Sequence, residues 1–279
     1  MRIVIIGHGM VGHRFVEVLA RDAAAVHLDT SLDVTVLAEE HLPAYDRVQL
    51  SAYFSGKTAE DLCLVDPNFF TDSGFALHLG KGAAEIDRAA KVVTTTGGEK
   101  IPYDKLVLAT GSFPFVPPVK GNDREDCLVY RTIEDLEKMK TAATRGTVGV
   151  VVGGGLLGLE AAKALRDLGL ETHVVEFAPR LMAVQIDDGA GKILRNKIAA
   201  LGVGIHLGKN TTEIVDGETC RHRMNFADGS HLETDMILFS AGIRPRDELA
   251  RSSGLNVGAR GGIEIDNDCR TNDTDVYAI

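Results

Sequence analysis

Two glycine-rich segments have the residue types and spacing that hold the phosphates of a nucleotide. Each joins an apolar run to an amphipathic run: IVIIGHGMVGHRFVEVLA near the start of the chain and VVVGGGLLGLEAAKAL from Val150. In such a G-x-G-x-x-G motif one glycine makes a tight turn, the next lets backbone approach a pyrophosphate, and the third lets the helix pack on the strand. The first helical turn then presents N–H groups and about half a positive charge to the phosphates. The predicted binding positions are Gly7, Gly9, Met10 and Gly12 in the first motif, and Gly153, Gly155, Leu157 and Gly158 in the second.

An acidic residue follows each motif at the end of a second apolar run. Glu176, in ETHVVEF, stands close to the spacing of about 20 residues expected for the acid that binds the adenosine ribose. Glu39, in DVTVLAEE, stands further from its motif, and the polar stretch RDAAAVHLDTSLD absorbs the surplus. A carboxylate at this place repels a 2′-phosphate, which favours NADH over NADPH. Arg180 is the nearby cation that could instead accommodate such a phosphate.

The elements around the two motifs repeat in the same order. Each copy has a strand, the glycine turn, a helix, a second strand, a hairpin signal at Gly97-Gly98 or Asp228-Gly229, and a buried strand ending in a small-residue turn, KLVLATGS or DMILFSAGIRPR. The pattern predicts an α/β protein with two Rossmann-like, doubly wound, three-layer dinucleotide-binding domains.

The second domain is predicted to be inserted into the first. The proline-rich segment FPFVPPVKGNDRED leads into the second copy, and a second crossover follows Gly242. The final segment, GGIEIDNDCRTNDTDVYAI, indicates short strands that return to the first sheet. We therefore predict a discontinuous first domain, 1–115 and 245–279, and an inserted domain, 116–244.

Composition restricts the partners. The chain has 279 residues and a net charge of −10, which disfavours nucleic acid and anionic membranes. No apolar run has the length of a signal peptide or membrane span. The histidines lack metal-site spacing, and the cysteines are too dispersed for a metal knuckle or redox pair. No metal ligand is assigned, and small-molecule chemistry in the reducing cytoplasm is predicted; the cysteines are Cys63, Cys127, Cys220 and Cys269.

Two nucleotide sites in one chain are explained most economically by a hydride donor and a hydride acceptor. Nicotinamide and flavin form such a pair. Two copies of one ligand remain an alternative, because the pattern alone does not identify a flavin.

Longer segments carry a family resemblance. The segments AYDRVQLSAYFSGKTAEDL, YDKLVLATGS, VYRTIEDL, VVEFAPRLM, FSAGIRPRDELA and TNDTDVYAI, with the two glycine motifs, resemble the N-terminal module of the NAD(P)H-dependent nitrite reductase large subunit. This module belongs to the two-dinucleotide flavoproteins of glutathione-reductase-like fold. The resemblance implies FAD in the first domain, NADH in the second, a cytoplasmic role in nitrate assimilation, and electron transfer to downstream redox domains or a small subunit.

The resemblance also implies roles for particular residues. Glu160 would lie near the nicotinamide and the flavin and is the candidate catalytic residue, although hydride transfer itself demands no protein acid or base. The implied cofactor contacts are Glu39, Arg47, Thr110, Gly111 and Arg131 for FAD, and Glu160, Glu176, Ala241 and Gly242 for the nicotinamide nucleotide.

The chain departs from related families at two places in the segment QLSAYF. Ferredoxin and rubredoxin reductases commonly have a lysine where this chain has Ala52, and that lysine can pair with the equivalent of Glu160. Relatives that reduce coenzyme A disulfide use a cysteine in this region. None is present, and Cys63 lacks that context, which disfavours a cysteine mechanism.

The family continues beyond the last residue of this chain. After DVYAI come a Gly-Asp that contacts the flavin, an interface domain, and the iron–sulfur and sirohaem domains that reduce nitrite. Ending at Ile279, the chain is expected to be a piece of a longer protein, without nitrite reduction of its own and with weakened FAD binding. The alternatives are a stand-alone ferredoxin or rubredoxin reductase, and a nucleotide-binding fragment without turnover.

Overall fold

The computed structural model describes residues 1–26 and 32–279. The polar stretch RDAAAVHLDTSLD lies partly in the first helix and partly outside the described residues. The strands are β1 Arg2–Ile6, β2 Asp33–Leu37, β3 Ala76–His78, β4 Ala83–Asp87, β5 Val92–Thr95, β6 Lys100–Pro102, β7 Lys105–Leu108, β8 Ser112–Pro114, β9 Cys127–Val129, β10 Val148–Val152, β11 Glu171–Glu176, β12 Gly204–Leu207, β13 Thr211–Asp216, β14 His222–Phe226, β15 His231–Thr234, β16 Met236–Phe239, β17 Ile243–Pro245 and β18 Val276–Ala278. The helices are α1 Met10–Val26, α2 Ala59–Leu62, α3 Phe69–Ser73, α4 Ile133–Ala143, α5 Leu156–Asp167, α6 Asp188–Ala200 and α7 Glu248–Ser252, with a 3₁₀ segment at Arg47–Ser55.

The first unit is built on a parallel sheet in the order β18-β7-β1-β2-β3. The antiparallel strands β4, β5 and β6 form a separate meander, and the predicted Gly97-Gly98 hairpin joins the last two of them. Apolar side chains alternate between the faces of the sheet, as the period of a strand requires. Ile3 and Ile5 pack with Val16 of α1, whereas Val4 and Ile6 pack with the meander. The sheet is therefore buried on both sides, as a three-layer α/β fold requires.

The second unit repeats this design. Its parallel sheet runs β12-β11-β10-β16-β9, in which the first four strands correspond to β3, β2, β1 and β7 of the first sheet, and β9 takes the edge position of β18. The meander β13, β14 and β15 covers one face, and the predicted hairpin at Asp228-Gly229 joins its last two strands. Val150 and Val175 pack with Met224 on that face. Burying each such side chain contributes about 1.5 to 3 kcal/mol.

The chain forms two compact units, and each is built from more than one segment of the sequence. By contacts, the first unit comprises Met1–Arg47, Ala59–Phe113 and Arg244–Ile279, and the second comprises Val48–Thr58 and Pro114–Ile243. The sequence boundaries did not anticipate that Val48–Thr58 groups with the second unit. The Tyr53 hydroxyl donates to Glu137 of α4, and the Lys140 ammonium lies 3.8 Å from the centre of the Tyr53 ring. These contacts are between residues remote in the chain and leave no local pattern.

Candidate functional site

The glycine turn of the second unit is shaped by two backbone contacts. A Cβ added to Gly153 would lie 2.3 Å from the carbonyl oxygen of Ser240, and one added to Gly158 would lie 1.9 Å from that of Gly153. Both distances are far below van der Waals contact, so the fold itself requires glycine at these positions. At Gly155 an added Cβ would meet nothing within 4 Å. The middle glycine therefore borders open space, which fits the close approach of a ligand rather than internal packing.

The first unit has the same arrangement. A Cβ on Gly7 would lie 2.1 Å from the carbonyl oxygen of Ala109, and one on Gly12 would lie 2.2 Å from that of Gly7. Around Gly9 nothing lies within 4 Å. The same division between packed and open glycines occurs in both units, so both turns fit a pyrophosphate at the middle glycine.

The helices behind these turns begin at the open glycines. Gly155 is the N-cap of α5 and accepts from the backbone N–H of Leu159 at 3.0 Å. In α1 the carbonyl of Gly9 accepts from the N–H of His13 at 2.9 Å. Glycine offers no side chain to cap the first turn, so the N–H groups of that turn can bind an anion.

Glu176 is held at the edge of the second glycine turn. Its carboxylate accepts hydrogen bonds from the backbone N–H of Gly154 and, at 2.7 Å, from that of Ala178. Because a carboxylate has about four acceptor sites, it keeps capacity for a ribose hydroxyl. These bonds orient the side chain before any ligand arrives.

Glu39 stands one residue later in its unit than Glu176 does. The N–H of Gly7 donates to the carbonyl of Leu37, and the N–H of Gly153 donates to the carbonyl of Val175. By this correspondence, Ala38 occupies the position in the first unit that Glu176 occupies in the second. Glu39 is 70% exposed and forms an ion pair with Arg246, a residue that the sequence analysis did not select.

Arg47 lies beside Glu40. Its guanidinium forms an ion pair with the Glu40 carboxylate and lies 5.0 Å from the centre of the Tyr45 ring. The Tyr45 hydroxyl also donates to Glu40, at 2.6 Å. Arg47 is thus fixed near the end of β2 by Glu40 and Tyr45.

A cleft of about 660 Å³ lies in the second unit at the carboxyl ends of β10, β11 and β16. This is the edge at which open α/β sheets bind ligands. The predicted residues Gly153, Gly155, Leu157 and Gly158 line it together with Glu176, Ala241 and Gly242. The structure also adds residues that the sequence analysis missed: Phe177, which is 72% exposed, and Lys209 and Asn210, which follow β12. Their position just after a parallel strand was a usable signal.

A smaller cavity of about 200 Å³ lies in the first unit at the carboxyl ends of β7 and β18. Thr110 and Gly111 line it, as does Arg246. The Thr110 hydroxyl donates to the Arg246 carbonyl at 2.6 Å, and the Arg246 N–H donates to the Gly111 carbonyl at 3.0 Å. Arg246 is therefore anchored to the small-residue turn that the sequence singled out.

Glu160 and Arg131 are not among the residues that line the cleft. Glu160 lies in the second turn of α5, near the buried Tyr130. Burial, and next the Glu160 carboxylate, raise the pKa of the Tyr130 phenol. The backbone of Arg131 precedes the capping box of α4, in which Thr132 accepts from the Asp135 N–H and the Asp135 carboxylate accepts from the Thr132 N–H. Part of the segment YRTIEDL, from Thr132 onward, therefore forms the start of helix α4.

No group of three or more metal-ligating side chains occurs among residues 1–26 and 32–279. In the same ranges, no helix is both long enough and apolar enough to cross a bilayer. Each of the four cysteines is free and partly buried.

Paired Rossmann-like units, each with an open glycine at a helix start, define the class of two-dinucleotide redox proteins. The sequence model of the pyridine nucleotide-disulphide oxidoreductase family matches residues 1–279, and the chain belongs to that family. It is an NAD(P)H-dependent oxidoreductase that uses a flavin, and the predicted fold class and enzyme class are confirmed.

Named relatives agree with this placement. The chain is 57% identical over 278 residues to the nitrite reductase [NAD(P)H] large subunit of Klebsiella oxytoca, covering 99% of this chain and 28% of the relative. It is 54% identical over 280 residues to the nitrite reductase (NADH) large subunit of Escherichia coli (strain K12), covering 100% and 33%. The crystal structure of a ferredoxin reductase for the CYP199A2 system from Rhodopseudomonas palustris has a TM-score of 0.88 and 31% identity, covering 100% and 67%. The chain thus spans about a third or less of the nitrite reductases it matches.

Proposed function

We propose that the chain is the NADH-oxidising flavoprotein module of a nitrite reductase large subunit. The first unit binds FAD, the second binds NADH, and electrons leave for redox centres elsewhere in the longer protein, where nitrite becomes ammonia. The observation that carries the proposal is the open space at the middle glycine of each motif, Gly9 and Gly155. Internal packing does not require glycine at either position. The identities of 54% and 57% to nitrite reductases support the particular assignment.

The residues of the chain act by binding and orienting. The first-turn N–H groups of α1 and α5 hold the two pyrophosphates, and Glu176 accepts from the adenosine ribose. A bound flavin would supply the capacity to take up a hydride from reduced nicotinamide and to release electrons singly. No protein acid or base is needed, so placement of the rings supplies the rate enhancement.

Flavin reduction tests the proposal directly. With added FAD we expect the purified protein to become yellow and to bleach when NADH is added without oxygen, as followed by absorbance. The Gly9→Ala variant fills the open space and should weaken FAD binding by about tenfold or more with unchanged melting. Colourless protein that binds NADH in a calorimeter would instead select the nucleotide-binding fragment without turnover.

Substituting Glu176 tests the coenzyme preference. Glu176→Gln removes the charge that repels a 2′-phosphate, and we expect the affinity ratio of NADP⁺ to NAD⁺ to rise about tenfold. Calorimetric titration with each nucleotide measures this ratio. The control is Glu171→Gln on the same strand, at its opposite end and outside the cleft lining. An equal rise in both variants would show a general charge effect and contradict the assignment of Glu176.

The ferredoxin reductase alternative is weaker, because the similarity to that class is 31% identity against 54% and 57% to nitrite reductases. Rapid reduction of a ferredoxin by the NADH-reduced module, with no transfer to an iron–sulfur domain, would reverse this order.

A further inference from the structure

Lys209 is a cation beside the proposed ribose site that the function above does not use. Its backbone N–H donates to the carbonyl of Glu176 at 3.0 Å, so the two residues lie side by side on adjacent segments. Both line the cleft, and the Lys209 side chain is 22% exposed. A lysine ammonium is a compact charge with three donors, which suits a phosphate.

The turn between β14 and β15 holds this ammonium. The Nζ atom donates to Asp228 at 2.6 Å and to the hydroxyl of Ser230 at 2.7 Å, and lies 5.5 Å from the centre of the Phe226 ring. Asp228 in turn accepts from the Ser230 N–H at 3.0 Å. The hydrogen bond from Lys209, and next those from Ser230, hold the pKa of Asp228 well below its usual range, so the carboxylate is charged at neutral pH. Two of the three ammonium donors are thus occupied, and its charge is neutralised.

We propose that Lys209 is a masked binding site for the 2′-phosphate of NADPH, kept out of use by Asp228 and Ser230. The inference rests on the proposed function, in which the cleft takes an adenine dinucleotide with its ribose at Glu176. The cleft then selects against NADPH twice: Glu176 repels the phosphate, and Asp228 withholds a neighbouring cation that could offset the repulsion.

Asp228→Asn removes the mask. Asn-Gly forms the same tight hairpin turn as Asp-Gly, so the variant keeps the hairpin. Calorimetric titrations with NAD⁺ and NADP⁺, and with 5′-AMP and adenosine 2′,5′-bisphosphate, measure the preference. We expect the ratio of affinities to move about fivefold toward the 2′-phosphorylated ligands. Adding Lys209→Met to Asp228→Asn should abolish the gain, because the methionine keeps the apolar stem without the charge.

The matched control is Asp167→Asn on α5. Asp167 forms an ion pair with Lys163 at 2.5 Å, and neither residue lines the cleft. The control should leave the ratio unchanged. The proposal is overturned by an unchanged ratio in Asp228→Asn, by a gain that survives Lys209→Met, or by an equal gain in the control. Asp228→Ser also removes the carboxylate and should shift the ratio of affinities in the same direction as Asp228→Asn. Parent protein that binds none of these nucleotides would instead refute the proposed function.

Discussion

Alanine at Gly155 and alanine at Gly158 are expected to have opposite consequences, although the two glycines lie three residues apart in one motif. Gly158→Ala places a Cβ 1.9 Å from the carbonyl oxygen of Gly153, so the helix and the turn must separate. We expect a loss of about 3 kcal/mol or more in the free energy of unfolding. Gly155→Ala meets nothing within 4 Å and should change that free energy by about 1 kcal/mol or less, the cost of a poorer N-cap.

Among the variants that fold, Gly155→Ala should weaken nucleotide binding more than Gly158→Ala does. The methyl group at residue 155 occupies the space where the pyrophosphate must approach the helix start, and we expect NADH affinity to fall about tenfold or more. Urea unfolding and calorimetric titration measure the two effects separately. Gly189→Ala, in the exposed first turn of α6, is the matched control and should leave NADH binding unaltered. Undiminished NADH affinity in Gly155→Ala would show that the open space is not the phosphate site.

Acid is expected to destabilise the first unit through His8, by about 3 kcal/mol between pH 6.5 and pH 4. Burial, and next the neighbouring His13, lower the pKa of His8 from 6.5 to about 4. The unfolded chain therefore takes up a proton over this range that the folded chain does not. The contribution is fully present above pH 6.5, is lost as the pH falls, and is exhausted below about pH 4.

The surroundings of His8 explain why the proton is excluded. His8 is 7% exposed, and its ring lies against the rings of His13 and Phe70, with centroid distances of 5.2 Å and 5.4 Å. The Nδ1 atom accepts from the Ala44 N–H at 3.3 Å, whereas Nε2 has no hydrogen-bond partner within the described parts of the chain. The Glu17 carboxylate lies 3.7 Å from the Nε2 atom of His13. Burial also lowers the pKa of His13, which adds to the loss of stability as the pH falls.

His8→Asn tests this by the slope of stability against pH, because asparagine keeps an acceptor but does not titrate. Loss of ring packing lowers stability at every pH, so the slope is the informative quantity. We expect urea unfolding at pH 7.5, 6 and 4.5 to show a shallower decline than the parent, and His231→Asn, at an exposed position of β15, to retain the parent's decline. A parental slope in His8→Asn would place the acid sensitivity elsewhere.

The paired folds could be predicted from the sequence because their signals are local and repeated. Apolar periodicity, glycine spacing and the hairpin dipeptides Gly97-Gly98 and Asp228-Gly229 each act within a few residues. The nicotinamide-side residues Gly155, Leu157 and Glu176 were predicted for the same reason, and the structure brings them to one cleft. That these positions bind the cofactors remains a prediction.

The tertiary structure alone decided which charges meet. Lys209 and Asp228 are paired although two strands separate them in the chain, Arg246 and Glu39 join segments from opposite ends of the chain, and Arg47 and Tyr45 both contact Glu40. The sequence determined that two glycine-rich turns exist at helix starts, since a turn is set by its own residues. It did not determine the cations around them, because ion pairs depend on side chains that folding brings together. Neither spacing nor periodicity in the sequence predicts the distance between such side chains.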